Sequence, residues 1–93
     1  MKHYIIVKFA DKADTGRLLP EIRELFDRSL SIEGVDRVEI HPSNSLKDNR
    51  YSLMIEMTLT AEGLESFDAS DLHKEWKSRF GERITDKTIF DCD

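Results

Sequence analysis

Alternation of apolar residues at every second position is the clearest pattern in the sequence. Tyr51, Leu53, Ile55, Met57 and Leu59 form this series, and a period of two is typical of a strand with one face in a core. Residues 4–9 are rich in β-branched and aromatic side chains, which predicts another strand. Both faces of that strand are largely apolar, so we expect it to be covered on both sides.

A period of three to four residues replaces the alternation between positions 18 and 30. This spacing predicts a helix with one apolar stripe, formed by Leu18, Ile22, Leu25, Phe26 and Leu30. Asp14 or Thr15 is a candidate N-cap. Pro20 lacks a backbone N–H, and its position places the start of the regular helix nearer Leu18 than Asp14. Gly34 follows, and it is free to take a positive φ before the next strand.

The rest of the chain supplies two more strands and a divided helix. Strands are predicted at residues 35–41 and 84–91, and the most loop-like passage is at 42–49. A short helix capped by Thr60 ends near Asp68, and a second helix capped by Ser70 or Asp71 follows it. The order is β-α-β-β-α-β, which predicts an α+β ferredoxin-like domain over residues 1–93. In this plan helices cover one face of a four-stranded antiparallel sheet.

The second face of this sheet carries apolar side chains that the helices do not cover. Tyr4, Ile6 and Met54 lie on it by alternation, and an exposed apolar face of this kind is an interaction surface. A second copy of the chain is the simplest cover, so we predict a homodimer that packs sheet against sheet. Lys8 and Glu56 point to the same face and could form an ion pair if their strands are neighbours.

Composition narrows the classes of partner and compartment. The net charge is −5, and the 14 Lys and Arg residues are scattered, whereas nucleic acids and anionic membranes attract concentrated basic patches. We therefore expect no nucleic-acid or membrane partner. Cys92 is the sole cysteine, which rules out an internal disulfide, and the N-terminus lacks the apolar run of a signal peptide. These features predict a cytoplasmic protein.

Candidate chemistry is concentrated between Glu65 and Trp76. This segment contains the only tryptophan and His73, which is predicted to lie in the first turn of the last helix. An imidazole titrates near neutral pH and can act as a general base, with His3 as a polar partner. A ligand pocket would lie between the helices and the sheet. Its predicted lining is His3, Ile5, Phe26, Tyr51, Phe67, His73 and Trp76. The same residues would form an ordinary core. The three histidines lack metal-ligand spacing, and no metal site or cofactor is expected.

Four segments together resemble the stress-responsive A/B barrel domain family. They are residues 2–9, the turn at 32–35, Phe67 six residues before His73, and the closing segment at 89–91. The resemblance implies a ferredoxin-like protomer and a dimeric α/β barrel. In one enzymatic branch, the olivetolic-acid-cyclase type, a helix-pair histidine is the base of a cofactor-free aldol cyclisation. His73 matches that base, and His3 matches a pocket histidine on the first strand.

Two positions depart from that enzymatic branch. A tyrosine assists the base there, whereas this sequence has Phe67, and the His-Pro-x-His run of the branch reads Ser70-Asp-Leu-His73. Three functions remain open: an uncharacterised dimeric barrel protein that binds a small apolar ligand, a cofactor-free cyclase-like or monooxygenase-like enzyme with His73 as base, and an interaction module without a ligand. An open cavity beside His73 and His3 favours an enzyme, whereas a packed interior favours the module.

Overall fold

A computed structural model describes residues 1–93. The strands are β1 (Lys2–Phe9), β2 (Val35–Pro42), β3 (Leu53–Leu59) and β4 (Ile84–Cys92). The helices are α1 (Asp14–Arg28), α2 (Ala61–Asp68) and α3 (Asp71–Phe80), and single 3₁₀ turns follow α1 at Ser29–Ser31 and α3 at Gly81–Arg83. The predicted order of strands and helices is confirmed, including the division of the second helix after Asp68. No helix combines the length and apolar character that crossing a membrane requires.

The four strands form one antiparallel sheet in the order β2-β3-β1-β4. This is the ferredoxin-like arrangement predicted from the sequence. Alternate residues of β1 and β3 point toward the helices, and they are buried there with the apolar stripe of α1. The core consists of Ile5, Val7, Phe9, Leu18, Ile22, Leu25, Phe26, Val35, Ile40, Leu53, Ile55, Met57, Leu59, Phe67, Trp76 and Phe80.

The expected start of α1 near Leu18 is wrong, because the helix begins at Asp14. Its N-cap is Ala13, not Asp14 or Thr15, and the Ala13 N–H donates to the side chain of Asp11 at 2.9 Å. Asp14 is 2% exposed, and one of its carboxylate oxygens accepts a hydrogen bond from Arg83 at 3.1 Å. This hydrogen bond stabilises the first turn of α1. The helix therefore begins before Pro20, which lacks a backbone N–H donor.

Tyr51 lies outside β3, which begins at Leu53. Ser52 and Leu53 are both buried, so the alternation fails between them. The Ser52 hydroxyl accepts a hydrogen bond from the Phe9 N–H at 3.0 Å, and its own N–H donates to the Val7 carbonyl at 2.8 Å. This local irregularity turns Tyr51 away from the helices.

The predicted ion pair between Lys8 and Glu56 is also wrong, although β1 and β3 are neighbours. The antiparallel register places Glu56 opposite Tyr4. Lys2 therefore reaches Glu56, with 3.0 Å between Nζ and Oε2, whereas Lys8 donates to the backbone carbonyl of Asp48.

Two glycines allow α2 to lie against the start of β2. Gly34 has φ +93°, as predicted for a glycine in this turn. A Cβ on Gly63 would lie 2.5 Å from the carbonyl oxygen of Gly34. The same oxygen accepts a hydrogen bond from the N–H of Thr60, the N-cap of α2, at 2.8 Å. Absence of a side chain at both positions therefore sets the distance between helix and sheet.

Candidate functional site

A cavity of about 500 Å³ lies between the α2–α3 pair and the β1–β4 edge of the sheet. It is present because the helices leave β4 uncovered: no residue of β4 is fully buried, and Ile89 remains 45% exposed. Ten residues line the cavity: His3, Ile5, Leu64, Asp68, His73, Trp76, Lys77, Lys87, Ile89 and Asp91. We call it the His3–His73 cavity.

His3 reaches the cavity from the central strand β1. Alternation along β1 points it toward the helices, where it is 6% exposed. The register of β1 with β4 places Asp91 directly opposite, and 2.5 Å separates His3 Nδ1 from Asp91 Oδ1. A carboxylate oxygen accepts, so Nδ1 carries a proton, and in the neutral form of the ring Nε2 carries the lone pair.

His73 reaches the cavity from the first turn of α3. Its backbone N–H donates to the hydroxyl of the N-cap Ser70 at 3.2 Å. Its ring Nδ1 lies 3.1 Å from the backbone carbonyl oxygen of Asp68. A carbonyl can only accept, so Nδ1 is the donor and Nε2 is again left with the lone pair. Both histidines therefore have a fixed tautomer, and neither Nε2 has a hydrogen-bond partner within the chain.

Burial keeps His73 in the form that can accept a proton. Desolvation by the surrounding protein lowers the pKa of His73 below its ordinary value of 6.5, and the hydrogen bond to the Asp68 carbonyl only partly opposes this effect. The positive charge of Lys77 acts in the same direction as burial. At neutral pH the imidazole is therefore mainly uncharged.

The break between α2 and α3 fixes the position of the His73 ring. Ser70 caps α3 and its hydroxyl also donates to the Phe67 carbonyl at 2.6 Å, so one side chain joins the end of α2 to the start of α3. The Phe67 ring packs at 5.2 Å from the imidazole, measured between ring centroids. The His73 ring is thus oriented by the hydrogen bond at Nδ1 and by packing against the Phe67 ring.

The remaining cavity lining combines an apolar surface with charged groups. Its apolar side chains are Ile5, Leu64, Trp76 and Ile89, and Lys77 and Lys87 bring ammonium groups. Apolar surface with a few placed polar groups is typical of small-molecule sites.

Four of the seven side chains predicted to line a pocket are brought together here: His3, Ile5, His73 and Trp76. The other three do not line it. Phe26 and Phe67 are fully buried core residues, packed at 5.9 Å from one another. Tyr51 lies at the other face of the sheet, where its hydroxyl is 2.9 Å from Thr88 Oγ1.

Sequence reasoning missed the contribution of β4 to the cavity. Lys87, Ile89 and Asp91 alternate along this strand and face the helices. The alternation was visible in the sequence and could have shown that they share a face. Their position opposite His3 depends on the strand order and register, which the pattern alone does not specify.

Comparisons with solved structures show the same fold at low sequence identity. A dimeric protein of unknown function with a ferredoxin-like fold from Bacteroides fragilis has TM-score 0.81 and 10% identity, covering 99% of this chain and 93% of its own. A DABB family protein from Mesorhizobium loti has TM-score 0.75, 14% identity and the same two coverages. A Nitrosomonas europaea protein with a provisional assignment as an antibiotic biosynthesis monooxygenase has TM-score 0.73 and 14% identity, covering 99% and 98%.

These neighbours are consistent with the resemblance to the stress-responsive A/B barrel family, and they establish the fold. No protein-family model matches the sequence, and no curated protein matches it.

Proposed function

We propose that this chain binds a small, mainly apolar carbonyl compound in the His3–His73 cavity and catalyses proton transfer on it without a cofactor. One observation carries the proposal: two imidazoles with fixed tautomers and unpartnered Nε2 atoms line one cavity. The cavity volume of about 500 Å³ is within the range of small-molecule sites. The enzymatic branch that the sequence resembles uses the same type of chemistry.

His73 is the base in this proposal. Its Nε2 removes a proton from the carbon next to the carbonyl group, which leaves an imidazolium and an enolate. Lys77 and Lys87 line the same cavity, and their positive charges stabilise the developing negative charge on the enolate oxygen. The proton is later returned to the product, so no oxidant or reductant is consumed. Asp91 holds His3 in one orientation, and His3 serves as the second polar contact for the substrate.

Deuterium exchange into a simple aromatic ketone tests this activity. The loss of the methyl proton signal of acetophenone in D₂O is followed by NMR, with and without protein. We expect the wild type to accelerate exchange and His73→Gln to lose most of the acceleration, since a positioned general base contributes about 10²–10⁴-fold. Asp71→Asn is the matched control, because Asp71 is fully exposed two residues from His73. Equal rates for wild type and His73→Gln would refute the base assignment.

A homodimer through the open sheet face is a second proposal, and it is independent of catalysis. Phe90 is 57% exposed on this face and packs beside Tyr4, with 6.3 Å between ring centroids. The Bacteroides fragilis neighbour, which has a ferredoxin-like fold, is a dimeric protein. Sedimentation at micromolar concentration should give a dimer for wild type and a monomer for Ile6→Asp. Leu46→Asp, which changes an 80% exposed loop residue, should stay dimeric, whereas a monomeric wild type would refute the proposal.

A further inference from the structure

A cluster of one histidine and two glutamates lies on the open face of the sheet, opposite the His3–His73 cavity. Glu39 and His41 are two residues apart on β2, so they point to the same face, and Glu56 joins them from β3. One ligand atom from each side chain lies within 4.8 Å of the other two. From this cluster we propose a binding site for a divalent first-row transition metal ion, with zinc as its probe.

The distances inside the cluster fit a metal ion. His41 Nε2 is 3.2 Å from Glu56 Oε1 and 3.8 Å from Glu39 Oε2. Zinc binds nitrogen and oxygen at about 2.0–2.2 Å, so neighbouring ligand atoms of a tetrahedral zinc site lie about 3.3 Å apart. All three ligand atoms lie within 4.8 Å of one another, so metal binding would draw any pair closer by at most about 1.5 Å. Imidazole and carboxylate together suit zinc and its first-row neighbours.

The sheet register gives an independent reason for a cation at this point. Glu39 is directly opposite Glu56, and like charges in directly opposed positions destabilise a strand pair. The Glu56 side chain is only 19% exposed, which reduces the screening of this repulsion by water. Lys2 and Arg37 offset part of this repulsion, and a bound metal ion would offset more of it.

Neighbouring cations occupy the outer oxygens of the two carboxylates and leave the inner oxygens free for a metal. Lys2 Nζ lies 3.0 Å from Glu56 Oε2, and Arg37 pairs with Glu39 Oε1. The oxygens nearest His41 are the other two, Glu56 Oε1 and Glu39 Oε2. Hydrogen bonds on the outer atom of a ligating carboxylate fix its orientation, as in the outer shell of metal sites.

Metal binding also requires a change of tautomer at His41. Without metal, Nε2 donates its proton to Glu56 Oε1, because a carboxylate accepts. When the metal binds Nε2, the neutral ring carries its proton on Nδ1, which has no other partner in the chain. Three protein ligands leave the remaining coordination positions to water, or to side chains of the second copy in the homodimer proposed above, which packs on the same face. No metal site was expected from the sequence, because the three histidines lack helical or turn spacing. The two glutamates lie on different strands, and only the sheet register brings them together.

Titration calorimetry with zinc and untagged protein tests the site. We expect saturable binding of one zinc per chain, and a visible absorption band when cobalt replaces zinc. His41→Ala, Glu39→Gln and Glu56→Gln should each weaken binding by at least the 10–100-fold that loss of an outer-shell partner alone produces. Circular dichroism confirms that each variant is folded, and three separate variants keep the test valid if one is not.

Two controls separate this site from other zinc ligands. Glu33→Gln removes an exposed carboxylate that forms no ion pair, and Cys92→Ser removes the thiol. Both should bind zinc as the wild type does. Absence of saturable binding at millimolar zinc would overturn the proposal. Binding that survives in His41→Ala would overturn it as well, because the metal would then be held elsewhere on the chain.

Discussion

Replacing Gly63 with alanine should destabilise the protein, although alanine is normally the better helix residue. Gly63 is the third residue of α2, and an added Cβ would meet three backbone atoms of Gly34, at 2.5, 2.6 and 3.0 Å. Backbone atoms cannot rotate away as a side chain can. Gly34 is fixed further by its positive φ and by the hydrogen bond that it accepts from Thr60. The strain can be relieved only by moving α2 away from the sheet.

The expected loss of stability in Gly63→Ala is the difference between two opposing effects. Overpacking a well-packed interior costs about 1–3 kcal/mol, occasionally more, and contact with rigid backbone places this case at the upper end. Replacing glycine with alanine inside a helix recovers about 1 kcal/mol. The net loss is about 2 kcal/mol, which for a domain of this size lowers Tm by about 8–16 °C.

Gly16→Ala is the matched control for this prediction. Gly16 is also the third residue of its helix, and an added Cβ there has no atom within 4 Å. The same substitution should therefore stabilise the protein, by up to about 1 kcal/mol, and raise Tm by about 4–8 °C. Thermal unfolding by circular dichroism at one protein concentration compares the variants. If Gly63→Ala unfolds at or above the wild-type temperature, the close approach of α2 does not limit the fold.

Three further predictions concern the cavity. The lowered pKa of His73 means that the unfolded chain binds this proton more tightly than the folded protein does, so stability is complete above the ordinary value of 6.5 and falls as the pH drops below it. The Tm of His73→Gln should accordingly fall less than that of wild type between about pH 8 and pH 5. Equal decreases in Tm would show that His73 does not cause this pH dependence. Phe67→Tyr places a hydroxyl at a position with 0% exposure. This change should lower the free energy of unfolding, measured with urea, by about 1–3 kcal/mol. Unchanged stability would show that the hydroxyl reaches the cavity. Ser70→Ala removes the cap of α3 and should cost about 1 kcal/mol, and an unchanged NMR shift of the His73 ring protons would show that the cap does not position the imidazole.

The sequence predicted the fold well because its main signals are local. Period-two alternation in β3, the apolar stripe of α1 and the caps Thr60 and Ser70 each depend on a few neighbouring residues, and tertiary packing did not override them. Errors arose where a distant contact decided the local structure. Asp14 starts α1 early because Arg83, far along the chain, binds its carboxylate.

The site was harder to predict, because it depends on which strands are neighbours. His3 and His73 were identified from residue type and family resemblance, and they do line one cavity. Phe26 and Phe67 were misplaced, since an apolar residue on a helix looks the same in sequence whether it faces a core or a cavity. Asp91 was missed because only the β1–β4 register brings it to His3. Glu39 and Glu56 show the same limit on the opposite face.

The pairing of His3 with Asp91 spans 88 positions of the chain, which has a consequence for synthesis of the protein. β1 emerges from the ribosome before β3 and β4, yet it lies between these two strands in the sheet and pairs with both. At about 5–20 residues per second, the backbone N–H and C=O groups of β1 stay unpaired for several seconds. An unpaired apolar strand is a template for incorrect pairing. We expect nascent chains stalled before β4 to aggregate or to bind chaperones.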